Sequence, residues 1–547
     1  MTLLTNLFAP GRIGSIQTRN RLIMAPMGTL YANEDGTVSE RTCRHYEERA
    51  KGGAGLIIVE IAAVAREGKG HARVLGIHGD EFIPGLQRLV QTVHRHGVPI
   101  FLQIYHAGRQ TTVDAAGGQP VAPSAIPCPL MKVLPRELTI TEIERLMDAF
   151  AAGAGRAKEA GFDGVEIHGA HGYLLCQFLS SYSNRRVDVY GGGSLEGRMR
   201  FPLSVVARIK EQVGDDFPLI FRFSAQEDVP QGLTLNETRI FAQKLQEAGV
   251  HALDVSAGNY GAVHQMIQPG FAPLGCLAPL AEEIKKMVGI PVTVAGRMSD
   301  PVLADAMLKA GKADFISLGR PLLADPEYPN KAKEERFDEI RRCTACYHCF
   351  DMPFVNAEPL QCAINASAGR EAESVLSQAP QAKKVVVIGG GPGGMEAARV
   401  AALRGHTVIL YEKEPDLGGQ LLLASLPPGK GELATTVAFL KIQLAKAGVE
   451  IKRGQQASFE SVMAMKPDAV VIATGSSVTL PNIPGADMAN VVLAREVLMG
   501  RRKVGRRAVI VGGGRVGCET ALLLAQQGKD VILVRMTGRG RLAGDVG

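Results

Sequence analysis

Four cysteines crowd into one stretch of the chain: Cys343, Cys346 and Cys349 are each separated by two residues, and Cys362 follows after twelve more. Four thiolates at this spacing can hold a [4Fe–4S] cluster, each iron taking one sulfur. A structural Zn²⁺ is the competing occupant, but zinc sites usually pair their ligands as two separate C-x2-C units, so the triple-plus-one pattern fits iron–sulfur better. The other cysteines are scattered. In a chain without secretory features a tight cluster points to a metal centre rather than to disulfides.

Two glycine turns form a second group. Gly389, Gly391 and Gly394 follow the apolar run KVVVI and open a helical pattern. The first glycine allows a tight turn, the second lets a pyrophosphate approach the backbone at a helix N-terminus, and the third permits close helix–strand packing. Glu412 ends the next strand, where an acid can bond a ribose hydroxyl. Ala473-Thr474-Gly475 is a further turn on the nucleotide side, and Gly419 and Gln420 are additional cofactor-binding candidates. The second turn, Gly512, Gly514 and Gly517, begins about 120 residues later, and its second strand ends on Arg535 rather than on an acid. Arginine cannot accept from a 2′-hydroxyl but can pair a 2′-phosphate, which leans toward NADPH.

A third group lies near residue 170. The segment HGAHGYL brings His168, His171 and Tyr173 together just past a strand. Imidazoles there can donate to a carbonyl oxygen or a flavin-proximal anion, and a phenol can give a proton to carbon. Arg222, also at a strand end, can stabilise negative charge on a reduced flavin. Gly296-Arg297 and Gly319-Arg320 end two later strands.

These groups need elements to position them. Eight β-rich runs alternate with amphipathic stretches in the first 340 residues: 21–27, 55–61, 99–106, 164–168, 218–224, 252–257, 291–296 and 315–320. The stretch 141–159 reads as a helix with Thr141 as N-cap. Eight βα units predict an α/β fold opening with a (β/α)₈ barrel, whose active site lies at the C-terminal strand ends. Residues 341–380 form the cysteine segment. Residues 381–500 read as the first part of an FAD-type dinucleotide domain and 501–547 as a partial NAD(P)-binding unit.

The chain has 547 residues, 46% hydrophobic and 21% charged, with a formal net charge of +6. Basic residues are dispersed, which argues against nucleic-acid binding. The densest run, Arg501, Arg502, Lys503, Arg506 and Arg507, reads as a solvated linker. No opening signal peptide and no apolar run near the ~20 residues of a membrane span is present, so a cytoplasmic protein with no membrane partner is expected. The oligomeric state is left open.

Taken together, LFAPGRIGSIQTRNRLIMAPM, HGAHGYLLCQFLSSYSNRRVDVYGG and the cysteine cluster resemble the old yellow enzyme superfamily, in its long iron–sulfur branch. That branch includes 2,4-dienoyl-CoA reductases, 2-enoate reductases and trimethylamine dehydrogenases. The resemblance covers essentially the whole chain. It implies FMN in the barrel, held by Gln103, Arg222, Arg297, Arg320 and backbone near Pro26, Met27 and Gly28, together with one [4Fe–4S] cluster and FAD. It also implies Tyr173 as proton donor and His264 as a supporting catalytic residue.

Two departures choose within the branch. The cysteine spacing looks more like the amine dehydrogenases, yet those attach FMN through a cysteine where this chain has Gly28, and they hold a cationic amine in a Trp-rich bowl. This chain has no Trp. The expectation is therefore a non-covalent FMN and an ene-reductase that relays electrons from NAD(P)H through FAD and the cluster to FMN, and on to a small activated alkene. The rivals are an amine dehydrogenase feeding an external electron carrier and a non-catalytic scaffold. Because the family returns to its FAD domain after the NAD(P) region, a sequence ending at Gly547 reads as a fragment or truncation.

Overall fold

The computed structural model describes residues 2–480 and 482–535. The chain divides into two compact units, Met1–Val375 and Leu376–Gly547.

In the first unit all eight apolar runs form strands: β1 (Leu22–Met24), β2 (Leu56–Ala63), β3 (Ile100–Tyr105), β4 (Gly164–Gly169), β5 (Leu219–Ser224), β6 (Ala252–Ser256), β7 (Val292–Val294) and β8 (Phe315–Leu318). Neighbours pair in parallel, and β8 returns to β1 through Ile316↔Leu22 and Leu318↔Met24, closing a barrel. Every residue in these strands is buried, because helices cover the outside and side chains fill the inside. A hairpin, Gly11–Ile13 with Ile16–Thr18, plugs the floor: Ile13 packs with Ile23, Leu56, Phe101, Ile220 and Phe315. The open end is therefore the one where the strands finish.

The helix expected from Thr141 runs over Ile140–Glu159, and its N-cap is Thr139. Thr139 keeps an extended backbone and forms a reciprocal capping box with Glu142, whereas Thr141 already lies in the first turn. Strand β2 carries a register shift between Val59 and Ala62, a bulge that re-aims Glu60 and Ile61.

The cysteine segment, up to Val375, falls in the first unit and is tied to the barrel. Leu360 N donates to Thr29 O at 2.8 Å and Tyr31 Oη donates to Leu360 O at 2.7 Å. Asn365 Nδ2 donates to Leu323 O at 2.9 Å, and Arg49 pairs with Glu371 at 2.5 Å.

The second unit holds a four-stranded parallel sheet of β9 (Lys384–Ile388), β10 (Thr407–Glu412), β11 (Glu450–Arg453) and β12 (Ala469–Ile472), in the order β11-β10-β9-β12. A separate parallel pair, β13 (Arg507–Val511) and β14 (Asp530–Val534), flanks the helix Arg515–Gln526. Of the stretch expected to form a partial NAD(P) unit, residues 536–547 lie outside the described residues. Among the described residues no helix is long and apolar enough to cross a membrane.

Candidate active site

The strand ends open into one cavity lined by Pro26, Met27, Gly28, Gln103, His168, His171, Tyr173, Arg222, Gly296, Arg297, Gly319 and Arg320. The sequence-derived barrel residues thus converge, with one exception. His264 is 57% exposed and pairs with Asp228 at 3.4 Å, outside the cavity lining. The short helix Val263–Met266 carries it to the surface, and Tyr260 from the same loop faces the cavity instead. The supporting role expected of His264 has no geometric basis here.

Tyr173 caps the helix Leu174–Leu179 and is buried against the rings of His168, Tyr105 and Tyr260, with centroids at 4.8, 5.2 and 5.9 Å. Burial pushes its phenol up to about 12, against a smaller lowering by the Tyr260 hydroxyl, 3.0 Å away. His171 occupies left-handed backbone (φ 60°), uncommon for a residue with a side chain. It is held there by its N–H to Ser224 Oγ at 2.9 Å and by its ring Nε2 against Ser256 Oγ at 2.7 Å. His168 Nδ1 accepts from Ala170 N at 3.3 Å, which leaves Nε2 as its N–H. Burial first, then neighbouring positive charge, holds both imidazoles well below their usual range, so both are neutral.

Below them, inside the barrel, register places Gln103 beside Glu166 and Arg222 beside both His168 and Asp254. Gln103 Nε2 donates to Glu166 Oε2 at 2.5 Å, and Arg222 meets Asp254 at 3.4 Å. Burial first, then the Asp254 charge, raises the Glu166 carboxyl well above its usual range, and burial raises Asp254 against the lowering by Arg222. The Arg222 Nε, Arg320 Nη1 and Ser317 Oγ atoms are buried without a hydrogen-bond partner. Native proteins rarely leave such donors unpaired. An anionic, polar-edged ligand would satisfy them, and the set therefore fits a flavin mononucleotide. Arg297, in the loop after β7, takes left-handed backbone and donates to Ala272 O at 3.1 Å and Gly270 O at 3.2 Å. A Cβ at Gly28 would meet only Ile61, at 3.9 Å, so the first turn offers room and no thiol.

Phe350 and Phe354 also line the cavity, as do Met266, Ile267 and Gln268. None was singled out from the sequence. Phe350 and Phe354 come from the helix His348–Phe354, just behind the cysteines, and stack at 4.6 Å.

In the cysteine segment, Ala345 (φ 50°) and Tyr347 (φ 65°) take left-handed backbone between the cysteines, turning the chain back on itself. The four thiols come close enough to oppose one another's ionisation: burial first, then its neighbours, pushes Cys349 up, and Cys362 rises to about 11. Backbone N–H groups face the sulfurs, Ala345 N reaching Cys343 Sγ at 3.4 Å. Among the described residues no three His, Cys, Asp or Glu side chains converge as a single metal ion requires.

In the second unit, Gly391 caps the helix Pro392–Leu403 with open space where a Cβ would stand, and a Cβ at Gly394 would run into the Gly389 carbonyl. Glu412 accepts from Gly390 N at 2.7 Å and Glu414 N at 2.9 Å, so it braces the turn. Gln420 donates to Ser476 Oγ at 2.9 Å, next to Gly475, and Gly419 caps the helix Gln420–Ala424. The second turn repeats the design: Gly514 caps Arg515–Gln526, and Gly517 packs on the Gly512 carbonyl. Arg535 is exposed beside Gly513, its Cβ 3.1 Å from where a Cβ on that glycine would stand. Both turns fit dinucleotides.

Comparison with known proteins agrees with this geometry. Residues 6–339 match the NADH:flavin oxidoreductase / NADH oxidase family, and residues 383–541 match the pyridine nucleotide-disulphide oxidoreductase family. The chain is 49% identical to an NADH oxidase of Thermoanaerobacter brockii, over 98% of this chain and 83% of that one. It is 41% identical to a cinnamate reductase of Clostridium sporogenes, over 97% of this chain and 83% of that one. Among solved structures it resembles a 2-naphthoyl-CoA reductase in complex with 2-naphthoyl-CoA, with a TM-score of 0.93 and 32% identity, covering 97% of this chain and 83% of that one. The chain is a flavoprotein oxidoreductase with a nicotinamide-dinucleotide region, and it belongs to the NADH:flavin oxidoreductase / NADH oxidase family.

Proposed function

We propose that this protein uses NAD(P)H to reduce an activated carbon–carbon double bond, of the 2-enoate or 2,4-dienoyl-CoA type, in the barrel cavity. The observation that carries the reading is Tyr173: a buried phenol that lines the cavity against the His168 ring, with burial pushing it up to about 12 and holding His168 and His171 below their usual range. His168 Nε2–H and the His171 ring can polarise a carbonyl conjugated to the double bond, and Tyr173 is then the group able to protonate carbon. That two of the relatives are named as reductases supports the same direction of chemistry. An amine substrate is less favoured, because no Trp is available to cage a cation and Gly28 offers no covalent flavin link.

FMN held by Pro26, Met27, Gly28, Gln103 and Arg222, with Gly296, Arg297, Gly319 and Arg320 toward its phosphate, would supply hydride to the substrate carbon. FAD at Gly389, Gly391, Gly394, Glu412, Gly419 and Gln420, NAD(P)H at Gly512, Gly514, Gly517 and Arg535, and a [4Fe–4S] cluster on Cys343, Cys346, Cys349 and Cys362 would supply the electrons. In this assignment residues 1–340 carry the catalytic barrel, 341–380 the cluster, 381–500 the FAD site and 501–547 the nicotinamide site. A cytoplasmic location, a small-molecule substrate and no nucleic-acid or membrane partner belong to the same reading.

The test is anaerobic. The purified holoprotein is reduced with NADPH or NADH and mixed with an α,β-unsaturated acid or thioester, and saturated product is sought by mass spectrometry. Acid precipitation is expected to release all flavin into the supernatant. Reduced protein that no conjugated alkene reoxidises would overturn the reading.

A further inference from the structure

Tyr173 has one hydrogen-bond partner for its hydroxyl among the described residues, the hydroxyl of Tyr260, at 3.0 Å. Tyr260 comes from the loop after β6, and that loop is fixed rather than free. Asn259 Nδ2 donates to the buried Glu227 carboxylate at 2.8 Å, and Gly261 N donates to Asn259 Oδ1 at 2.7 Å. Residues 171 and 259 are also joined as a parallel bridge, which ties the Tyr173 turn to the Tyr260 loop. The Tyr260 ring sits edge-on to Phe354 at 6.0 Å, which fixes the direction of its hydroxyl. Among the described residues no other side chain hydrogen-bonds the Tyr173 hydroxyl. His168 meets it ring edge to ring face, and Tyr105 directs its oxygen to Gly70 N at 2.7 Å.

We infer that Tyr260 is a positioning residue for the proton transfer. It donates its hydroxyl hydrogen to Tyr173 Oη, so that the Tyr173 O–H is turned toward the substrate, and it stabilises the phenolate left when that proton moves to carbon. The inference rests on the proposed role of Tyr173. The step is balanced: the Tyr173 O–H bond breaks, a C–H bond forms at the carbon alpha to the carbonyl, and the negative charge left on Tyr173 Oη accepts the Tyr260 hydrogen bond. A proton from solvent later restores Tyr173. The sense of the pair follows from chemistry. If Tyr173 were the donor, its proton would be committed away from the substrate and the Tyr260 hydrogen would face a cavity lined there by Met266 and Phe354.

The test uses the holoprotein and the Tyr260→Phe, Tyr173→Phe and double variants, because phenylalanine keeps the ring contacts. Reduced enzyme is mixed either with a conjugated alkene or with benzoquinone, which is protonated on oxygen and needs no proton delivered to carbon. Tyr260→Phe is expected to slow alkene reduction about tenfold, to leave the benzoquinone rate unchanged, and to cost nothing further in the Tyr173→Phe background. Equal slowing with both acceptors, or an equal loss with and without Tyr173, would reduce Tyr260 to a packing residue and overturn the inference. So would an unchanged alkene rate in Tyr260→Phe when Tyr173→Phe is slow. An unchanged alkene rate in Tyr173→Phe would instead remove the proton-donor role on which the inference rests.

Discussion

Arg222 and Asp254 meet at 3.4 Å inside the barrel, on adjacent strands and in direct register, with Glu166 completing the group. Two carboxyls and one guanidinium share this buried space, so one carboxyl stays protonated, and burial together with the Asp254 charge assigns that proton to Glu166. In Asp254→Asn, Glu166 is expected to ionise in its place. The single variant should therefore lose less than the about 3–5 kcal/mol typical of stripping a buried pair, while Glu166→Gln/Asp254→Asn loses the full amount. Urea unfolding of both variants checks this. Equal losses in the two would mean that Glu166 does not take over.

Glu60 gives a pH prediction. Its carboxylate accepts from Thr29 N at 2.7 Å and Thr29 Oγ1 at 2.5 Å, yet burial outweighs these bonds and raises it from 4.5 to about 7. The folded state therefore binds this proton more tightly than the unfolded chain. The stability it contributes is full below about 4.5 and is lost as pH rises to about 7, a difference of about 3 kcal/mol. Glu60→Gln removes that dependence. Relative to the unmodified protein, the variant should gain about 3 kcal/mol in denaturant melts between about pH 4.5 and about pH 8. A difference that does not change with pH would show that Glu60 titrates normally.

Tyr173→Phe should slow alkene reduction by about 10²-fold or more, the scale of losing a general acid. Reduction of the protein by NAD(P)H should keep its rate, since Tyr173 lies in the barrel and the nicotinamide site is assigned to the second unit. Stopped-flow traces of the two half-reactions separate these outcomes. Unchanged alkene turnover removes Tyr173 from the chemistry.

Cys346→Ala tests the cysteine segment. Three remaining thiols would leave one iron of the proposed cluster without its protein ligand, so iron content should fall sharply while acid-released flavin stays at the unmodified level. Turnover from NAD(P)H to alkene should collapse, and alkene reoxidation of dithionite-reduced protein should persist. Full coupled turnover without iron would mean that the barrel is reduced directly by NAD(P)H.

The barrel was legible because each strand is an apolar run that ends on an unusual polar residue, and the strand order follows from the βα alternation. Tyr173, His168 and His171 were legible for the same reason, being packed into six residues at one strand end. The loop after β6 was not. Histidine is the louder chemical signal in NYGAVHQ, but the short helix Val263–Met266 turns His264 outward and leaves Tyr260 inside, a choice made by loop conformation. Glu166 and Asp254 read as ordinary strand residues until register sets them beside Gln103 and Arg222. Phe350 and Phe354 could not be placed at the cavity from sequence, because they stand between Cys349 and Cys362 and reach it only once that segment folds back. Thr139 rather than Thr141 caps its helix because Glu142 stands three residues after Thr139 and closes the box.

The cysteine segment is moored at two points far apart in the chain. Leu360 bonds to Thr29, just after β1, and Asn365 bonds to Leu323, just after β8. Those strands are the first and last of the barrel to leave the ribosome, and they lie side by side only when the ring has closed. The nest of four thiols therefore has no fixed shape on the nascent chain. The proposed cluster would then be loaded only after barrel closure, and a variant that delays closure should accumulate as metal-poor protein even where its finished fold is sound.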